Sequence, residues 1–174
     1  MGINTNKERT LVENFLKQRT DVAFKNLYRE FEQDLFRMAL RLAAGDRTLA
    51  EDIFQELWIR AIEALPRFGW QSSLKTWLTG ILINCFKEQN RKNQTSHYIE
   101  ISEHVGSDFG AIINNRMDAA KALSTLPQGY REVLVLHDLE GYKHDEIGAL
   151  LGISQGTSKS QLFHARKAMK KLLT

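Results

Sequence analysis

A chain of 174 residues has room for one domain or two small ones, and a hydrophobic content of 43% supports folded cores. No apolar run approaches the roughly 20 residues of a membrane-spanning helix, and residues 1–20 are too polar for a secretory signal, so we expect a cytoplasmic protein without direct membrane insertion. The single cysteine, Cys85, excludes an internal disulfide, and its apolar neighbours predict a core position. The net charge of +3 is modest, but residues 119–174 hold eight Lys/Arg against five Asp/Glu. This excess favours nucleic-acid contact there, although a helix dipole also favours basic residues near a helix end.

Sparse Gly and Pro separate stretches with a hydrophobic period of 3.6 residues, which predicts an all-α fold. Residues 11–17 predict a short helix. Thr20 or Asp21 is placed to cap a longer helix that ends at Gly45-Asp46.

The third predicted helix starts near Asp46 or Thr48, where Thr48 and Glu51 have the spacing of a capping box. It runs to about residue 65, because Pro66 stops it. Ser72 or Ser73 begins a fourth helix, which ends in the polar, basic residues 87–93.

Residues 94–115 show no sustained periodicity and predict a flexible linker with a mild acidic bias. Helical spacing returns at residues 119–126 and, after Pro127-Gln128-Gly129, at residues 130–137. We therefore predict two small helical domains, residues 1–93 and 116–174, joined by residues 94–115.

Residues 140–174 predict a helix, a tight turn and a second helix, the layout of a helix-turn-helix. Gly152 can supply the left-handed residue that ends the first helix, and Ser154 can cap the second. The second helix has a buried stripe of Leu162, Ala165, Met169 and Leu172. Groups able to bond base edges or phosphates lie opposite, at Gln155, Thr157, Lys159, Gln161, His164 and Lys167.

This segment resembles the C-terminal domain of bacterial RNA polymerase sigma factors of the extracytoplasmic-function (ECF) class. The residues that carry the resemblance are Glu146-Ile147, Leu151-Gly152-Ile153-Ser154-Gln155-Gly156-Thr157, Lys159-Ser160 and Ala165-Arg166. Two positions depart from the family: Ser158 stands where Val is usual, and Gln161 where Arg is usual. We expect Ser158 to loosen packing and Gln161 to alter promoter choice.

The N-terminal half independently resembles the promoter-melting domain of the same family. Its matching residues are Ala50-Glu51-Asp52-Ile53, Gln55-Glu56, Trp58, Phe68, Trp77-Leu78 and Ile83-Asn84. The resemblance implies a sigma region 2 type bundle at the N-terminus and a sigma region 4 type domain at the C-terminus.

Three sets of site residues follow from the resemblance. Core polymerase is expected to bind at Asp52, Gln55, Glu56 and Arg60. The −10 promoter element, as single strand, is expected at Arg67, Phe68, Trp70, Ser72, Ser73, Lys75, Asn84, Lys87, Arg91 and Lys92. The −35 element, as duplex, is expected at Ser154, Gln155, Gly156, Thr157, Lys159, Ser160, Gln161, His164, Arg166 and Lys167.

The residue types fit these roles, but each also has an ordinary structural explanation. Charged and amide groups on the third helix can bind a partner helix, although a helix dipole also favours an acidic start. Aromatic and amide groups in residues 66–77 can receive unstacked bases, whereas Phe68, Trp70 and Trp77 can also be core. For Trp77 the core position is favoured, and Trp70 is the more open case.

The sequence lacks the Gly-rich phosphate loop, the Gly-x-Ser-x-Gly elbow and the His-Glu-x-x-His motif, so we expect neither an enzyme nor a cofactor. The five histidines show no paired ligand spacing, and we expect no metal site.

The sequence thus predicts an ECF-type sigma factor that binds the clamp and flap regions of core RNA polymerase, selects promoter DNA and helps open the −10 region. The family also implies an anti-sigma factor, commonly membrane-anchored. Two alternatives stay open: a conventional helix-turn-helix regulator that binds an operator without polymerase, and a sigma-like adaptor that lacks promoter recognition.

Overall fold

The computed structural model describes the backbone of residues 2–97 and 117–172, and the side chains of residues 6–92 and 121–172. All the regular elements in these ranges are helical, which confirms the all-α prediction. The fourth helix continues to His97, beyond the predicted domain end at residue 93. The remainder of the predicted linker lies outside the described residues, so the domain boundaries stay a prediction.

The N-terminal domain contains four long helices. They are α1 (Gly2–Gln18), α2 (Asp21–Leu42), α3 (Arg47–Ala64) and α4 (Leu74–His97), with a short 3-10 turn at Leu65–Arg67 after α3. Each helix packs against the next in sequence, and α4 also contacts α2. The first helix is longer than predicted, because it starts at Gly2 rather than near residue 11.

Side-chain caps fix where three of these helices begin. The Thr20 hydroxyl accepts a hydrogen bond from the Ala23 N–H at 3.3 Å, and the Ser73 hydroxyl accepts one from the Thr76 N–H at 3.1 Å. Asp46 caps α3 by accepting the Leu49 N–H at 3.0 Å.

The predicted capping box at Thr48 and Glu51 is therefore wrong, although the alternative start near Asp46 is confirmed. Ala44 and Gly45 both have positive φ, so the chain reverses direction there and Asp46 becomes the residue at the N-cap. Glu51 instead accepts a hydrogen bond from Arg47 at 2.8 Å, one turn away on the same helix.

The core of the N-terminal domain lies between α2, α3 and α4. Its fully buried side chains include Leu35, Met38, Leu42, Ile53, Leu57, Leu74, Leu78, Leu82 and Phe86. Cys85 is 1% exposed, which confirms its predicted core position, and burial raises the pKa of its thiol to about 11.

The C-terminal domain consists of α5 (Met117–Thr125), α6 (Gln128–Leu134), α7 (His144–Leu151) and α8 (Gln155–Leu172), with a π-helical turn at Val135–Leu139 directly after α6. The predicted helix-turn-helix is confirmed in α7 and α8. Gly152 ends α7 at φ +71°, and Ser154 caps α8 by accepting the Thr157 N–H at 2.9 Å. Gly148 is required for this turn, since a Cβ there would lie 2.8 Å from the Ile153 carbonyl oxygen.

Polar contacts join the two domains along α4 and the segment that leads into α7. The buried Tyr142 hydroxyl donates to the buried Thr79 hydroxyl at 3.0 Å. The Lys87 ammonium donates to the carbonyl oxygen of Leu151, the last residue of α7, at 2.7 Å. The Glu140 carboxylate forms ion pairs with Arg41 at 3.0 Å and Lys75 at 3.7 Å. The interface therefore satisfies buried hydroxyls and neutralises a largely buried carboxylate.

Candidate polymerase and nucleic-acid interfaces

The first candidate surface is the outer face of α3, where polymerase contact is expected. Asp52 and Gln55 are exposed and Glu56 is half-buried, whereas Ile53 and Leu57 point into the core. The helical period thus separates the polar residues predicted to bind polymerase from the apolar residues that hold α3 in the bundle.

Arg60, the fourth residue predicted for this surface, braces α3 against α4. Its guanidinium donates to Glu56 at 2.6 Å and to both carboxylate oxygens of Glu88 on α4, at 2.9 and 2.7 Å. These charge-assisted bonds raise the pKa of Arg60, and the Arg60 guanidinium lowers the pKa of Glu88. The sequence did not reveal that Glu88 is the partner of Arg60, because the two residues lie 28 positions apart.

An apolar residue also belongs to this surface. Ile59 is 56% exposed and lines a shallow groove together with Asp52, Gln55 and Arg60. Lys92 lines the same groove, although the sequence placed it with the −10 residues. The α3 surface therefore combines carboxylates, an amide, a cation and an exposed aliphatic side chain, the mixture found at protein–protein contacts.

The second candidate surface is the loop between α3 and α4. The ring of Phe68 lies 4.8 Å from that of Trp70 and 4.8 Å from that of Trp77, and all three side chains are half-buried. Trp77 is thus only partly core. Trp70 has a left-handed backbone, with φ +55°, which is rare for a bulky residue. Arg67 is exposed beside this cluster.

A groove with a volume of about 1200 Å³ brings together half of the predicted −10 residues, while Arg67, Phe68, Lys87, Arg91 and Lys92 do not line it. Its lining includes Trp70, Gln71, Ser72, Ser73, Lys75, Trp77 and Asn84. Glu146, Ala149 and Leu150 of α7 also line it, so the C-terminal domain borders the groove.

The cations predicted for this second surface differ in their surroundings. Lys75 is paired with Asp34 at 3.2 Å as well as with Glu140, and Lys87 is bound to the Leu151 carbonyl. Arg91 is exposed on α4 and does not line the groove.

The third candidate surface is the segment from Ser154 to Lys167, which includes most of α8 and where duplex DNA is expected. Most of the predicted residues are exposed there, namely Ser154, Gln155, Gly156, Thr157, Lys159, Ser160, His164, Arg166 and Lys167. Ser158 is fully buried among them, and its hydroxyl shares a hydrogen bond of 2.9 Å with Nδ1 of His144 on α7. The hydroxyl at this position therefore ties α8 to α7.

Two residues predicted to contact the −35 element are engaged within the protein. Gln161 is half-buried, and its amide lies against Gly129, where a Cβ would come within 3.0 Å of Nε2. Arg166 is exposed but donates two hydrogen bonds to Asp138 in the π-helical turn, at 2.9 and 2.5 Å. The Arg166 guanidinium in turn lowers the pKa of Asp138.

Phe163 is a candidate that sequence reasoning missed. It is 65% exposed on α8, with its ring edge-on to His164 at 5.5 Å, and His164 stacks on Tyr130 at 5.8 Å. The sequence could have indicated this exposure, because Phe163 directly follows Leu162 and therefore lies outside the helical spacing of the buried stripe. An exposed aromatic ring can contact thymine methyl groups in a major groove.

In the ranges whose side chains are described, no three His, Cys, Asp or Glu residues are grouped as a metal site requires. None of the helices in those ranges is long and apolar enough to cross a membrane.

The surroundings of His144 on α7 generate a pH-dependence of stability that can be measured. Burial, followed by the neighbouring His137, Lys159 and Arg166, lowers the pKa of His144 below 6.5. Between its folded and unfolded pKa values the unfolded chain binds more protons, so this contribution to stability is present above pH 6.5 and is lost as the pH falls. We expect His144→Gln to show a smaller loss of unfolding free energy between pH 7.5 and 5.5 than the parent chain in urea titrations. Equal losses in the two proteins would contradict this assignment.

Comparison with known proteins identifies the family. Residues 27–95 match the family model for sigma-70 region 2, and residues 116–169 match that for sigma-70 region 4. The ECF RNA polymerase sigma factor SigM of Bacillus subtilis is 30% identical over 84% of this chain and 92% of its own length. The ECF RNA polymerase sigma-E factor of Escherichia coli is 30% identical over 68% of this chain and 70% of its own length. A solved structure of the sigma factor RpoE with the anti-sigma factor NepR, from Bartonella quintana, aligns with a TM-score of 0.72 and 29% identity, over 86% of this chain and 96% of the other. The chain therefore belongs to the ECF class of RNA polymerase sigma factors, which bind core RNA polymerase and direct it to promoters.

Proposed function

We propose that this sigma factor divides its work among three surfaces: the α3 surface binds core polymerase, the groove beside Trp70 receives the opened −10 strand, and α8 reads the −35 duplex. The observation that supports this division most directly is the exposed, basic α8, which carries five Lys/Arg and no Asp/Glu from Gln155 onward. A polyanionic duplex is the partner that such a helix fits.

On the α3 surface, Asp52, Gln55 and Glu56 supply hydrogen-bond acceptors and an amide, and Ile59 supplies an exposed apolar contact. Because Glu88 of α4 binds Arg60 of α3, we assign to Arg60 mainly the role of fixing the position of α3 relative to α4. The clamp region of polymerase is the proposed partner of this surface, and its flap region that of the C-terminal domain.

The loop and groove at Trp70 have the chemistry that single-stranded DNA requires. Half-buried aromatic rings offer stacking faces, and Gln71 and Asn84 offer donors and acceptors for base edges. Opening a duplex requires a site that holds unstacked bases, and this groove is large enough for more than one base.

On α8, we assign direct DNA contact to the exposed residues from Ser154 to Ser160 and to Lys167, and we add Phe163. Gln161 and Arg166 act instead by holding α8 against α6 and the π-helical turn, since their side chains contact Gly129 and Asp138. The departure from the family at Gln161 then concerns the orientation of α8 more than base contact.

Regulation by an anti-sigma factor, membrane-anchored or soluble, is part of the proposal, because the similar sigma factor RpoE is bound to the anti-sigma factor NepR in its solved structure. Exposed apolar side chains such as Ile59 and Phe163 offer contacts for an inhibitor. We propose that the protein acts in the cytoplasm, by binding rather than by catalysis.

Contact between the two domains bears on −10 binding. Lys75 and Lys87, both proposed to bind DNA, are bound to Glu140 and to the end of α7 in this structure. We call the arrangement in which α4 is bound to Glu140, Tyr142 and Leu151 the closed arrangement. We infer that promoter binding competes with these contacts between the domains, so that weakening the contacts strengthens binding of the −10 strand.

Replacing Lys159 by Ala should weaken binding to the −35 duplex several-fold and reduce the slope of log affinity against log salt by about one. Binding to core polymerase should not change. Lys121→Ala, an exposed lysine on α5, is the matched control in fluorescence-anisotropy titrations. If the two lysine variants bind duplex equally well, α8 is not the reading helix.

A second pair of substitutions tests the α3 surface. Asp52→Ala combined with Glu56→Ala should reduce retention by core polymerase in a pull-down about tenfold or more, since both charged contacts are lost. Duplex binding through α8 should persist. Glu63→Ala, exposed on the same helix, is the control. Loss of polymerase binding and of DNA binding together would indicate unfolding and count against the assignment.

The closed arrangement predicts that Glu140→Gln and Tyr142→Phe both strengthen binding of the −10 single strand by the polymerase-bound protein, because each removes a contact between the domains. Glu63→Gln controls for the change in net charge. Tyr142→Phe alters no charge, so improvement in Glu140→Gln alone would reflect electrostatics and contradict competition between DNA and the closed arrangement.

A further inference from the structure

The N-terminal helix α1 contacts both ends of the loop of residues 70–74, which belongs to the proposed −10 site. Glu8 on α1 is 4% exposed, and its carboxylate accepts a hydrogen bond from the N–H of Leu74, the first residue of α4, at 3.4 Å. A carboxylate at this position satisfies one of the unpaired N–H groups at the start of a helix and interacts favourably with its dipole. Burial raises the pKa of Glu8, which the bond to Leu74 partly offsets.

The adjacent residue holds the other end of the loop. The Arg9 guanidinium lies over the Trp70 ring, 5.0 Å from its centroid, while Phe68 packs against the same ring. Trp70 has φ +55°, and a bulky residue keeps a left-handed backbone only when its surroundings hold it there. Arg9 and Phe68 provide that support.

Other contacts also attach α1 to the bundle. Val12 and Phe15 anchor the helix in the core, at 3% and 6% exposure, and Lys7 pairs with Glu30 on α2. Glu8 and Arg9 instead contact the loop, and both line the groove beside Gln71. The separation of 66 residues between Glu8 and Leu74 makes this a tertiary constraint and not a local cap.

We propose that Glu8 and Arg9 are positioning residues for −10 recognition: together they hold residues 70–74 in the shape that accepts the opened strand. This inference rests on the proposed −10 function of the groove. Between the two held ends, Gln71, Ser72 and Ser73 are exposed and can meet DNA. Without α1 the left-handed Trp70 would relax, and the DNA would have to order the loop as it binds.

The test uses the full-length protein with core polymerase on a promoter that it transcribes, with unpaired thymines at −10 measured by permanganate reactivity. We expect Arg9→Ala and Glu8→Ala to lower open-complex formation by about threefold to tenfold. Polymerase retention and −35 duplex binding should stay unchanged. Arg9→Lys, which keeps a cation over the ring, and Glu8→Gln, which keeps an acceptor for Leu74, should recover most of the loss. Lys17→Ala and Glu13→Ala, exposed on the same helix, are the charge-matched controls.

Trp70→Ala separates this inference from the proposed function. If Trp70→Ala lowers opening but the Glu8 and Arg9 variants do not, the groove binds DNA and the positioning role is wrong. If Trp70→Ala has no effect, the −10 assignment itself fails. A loss of opening that is matched by equal losses of polymerase retention and −35 binding would mean that α1 only stabilises the fold, which also overturns the inference.

Discussion

The packing of α4 is the constraint on which all three proposed surfaces depend. Through Glu88 it receives Arg60 and so fixes the orientation of α3. Its first residue is held by Glu8 of α1, and Thr79 and Lys87 join it to the C-terminal domain. A buried apolar stripe keeps the helix in the bundle while its polar positions form these bonds. One helix therefore coordinates the polymerase surface, the −10 loop and the approach of α7.

The closed arrangement bears on the proposed promoter binding. Lys75 and Lys87 are bound to Glu140 and to the end of α7, so the protein's own acceptors occupy groups that we propose for DNA binding. These contacts join half-buried lysines to acceptors of the protein, whereas the Tyr142–Thr79 bond is buried and satisfies two hydroxyls. The interface between the domains thus contains one buried hydrogen bond and two bound lysines, and DNA phosphates can compete for these lysines.

Much of the fold could be predicted from local chemistry. The 3.6-residue period predicted the helices, and Gly152 and Ser154 predicted the turn of the helix-turn-helix. These predictions succeed because a cap or a left-handed residue acts on backbone only a few positions away. Roles that depend on distant partners could not be predicted. Nothing near Arg166 shows that Asp138 holds it, nor does the sequence around Gln161 reveal Gly129 as its neighbour. The Thr48–Glu51 capping box was wrong because the reversal at Ala44 and Gly45 moved the cap to Asp46. Family resemblance named the surfaces, and the structure showed which of their side chains are exposed and which contact other helices.

The most direct test of the proposed function is to measure transcription by sigma-free bacterial core polymerase with and without this protein. Start sites would be mapped on fragmented genomic DNA from the source organism, with core polymerase alone as the control. We expect new, discrete starts that share two spaced upstream elements, and their loss when Lys159 or the pair Asp52 and Glu56 is replaced by Ala. The absence of new starts, whether the protein then binds polymerase or only duplex DNA, would contradict the proposed function.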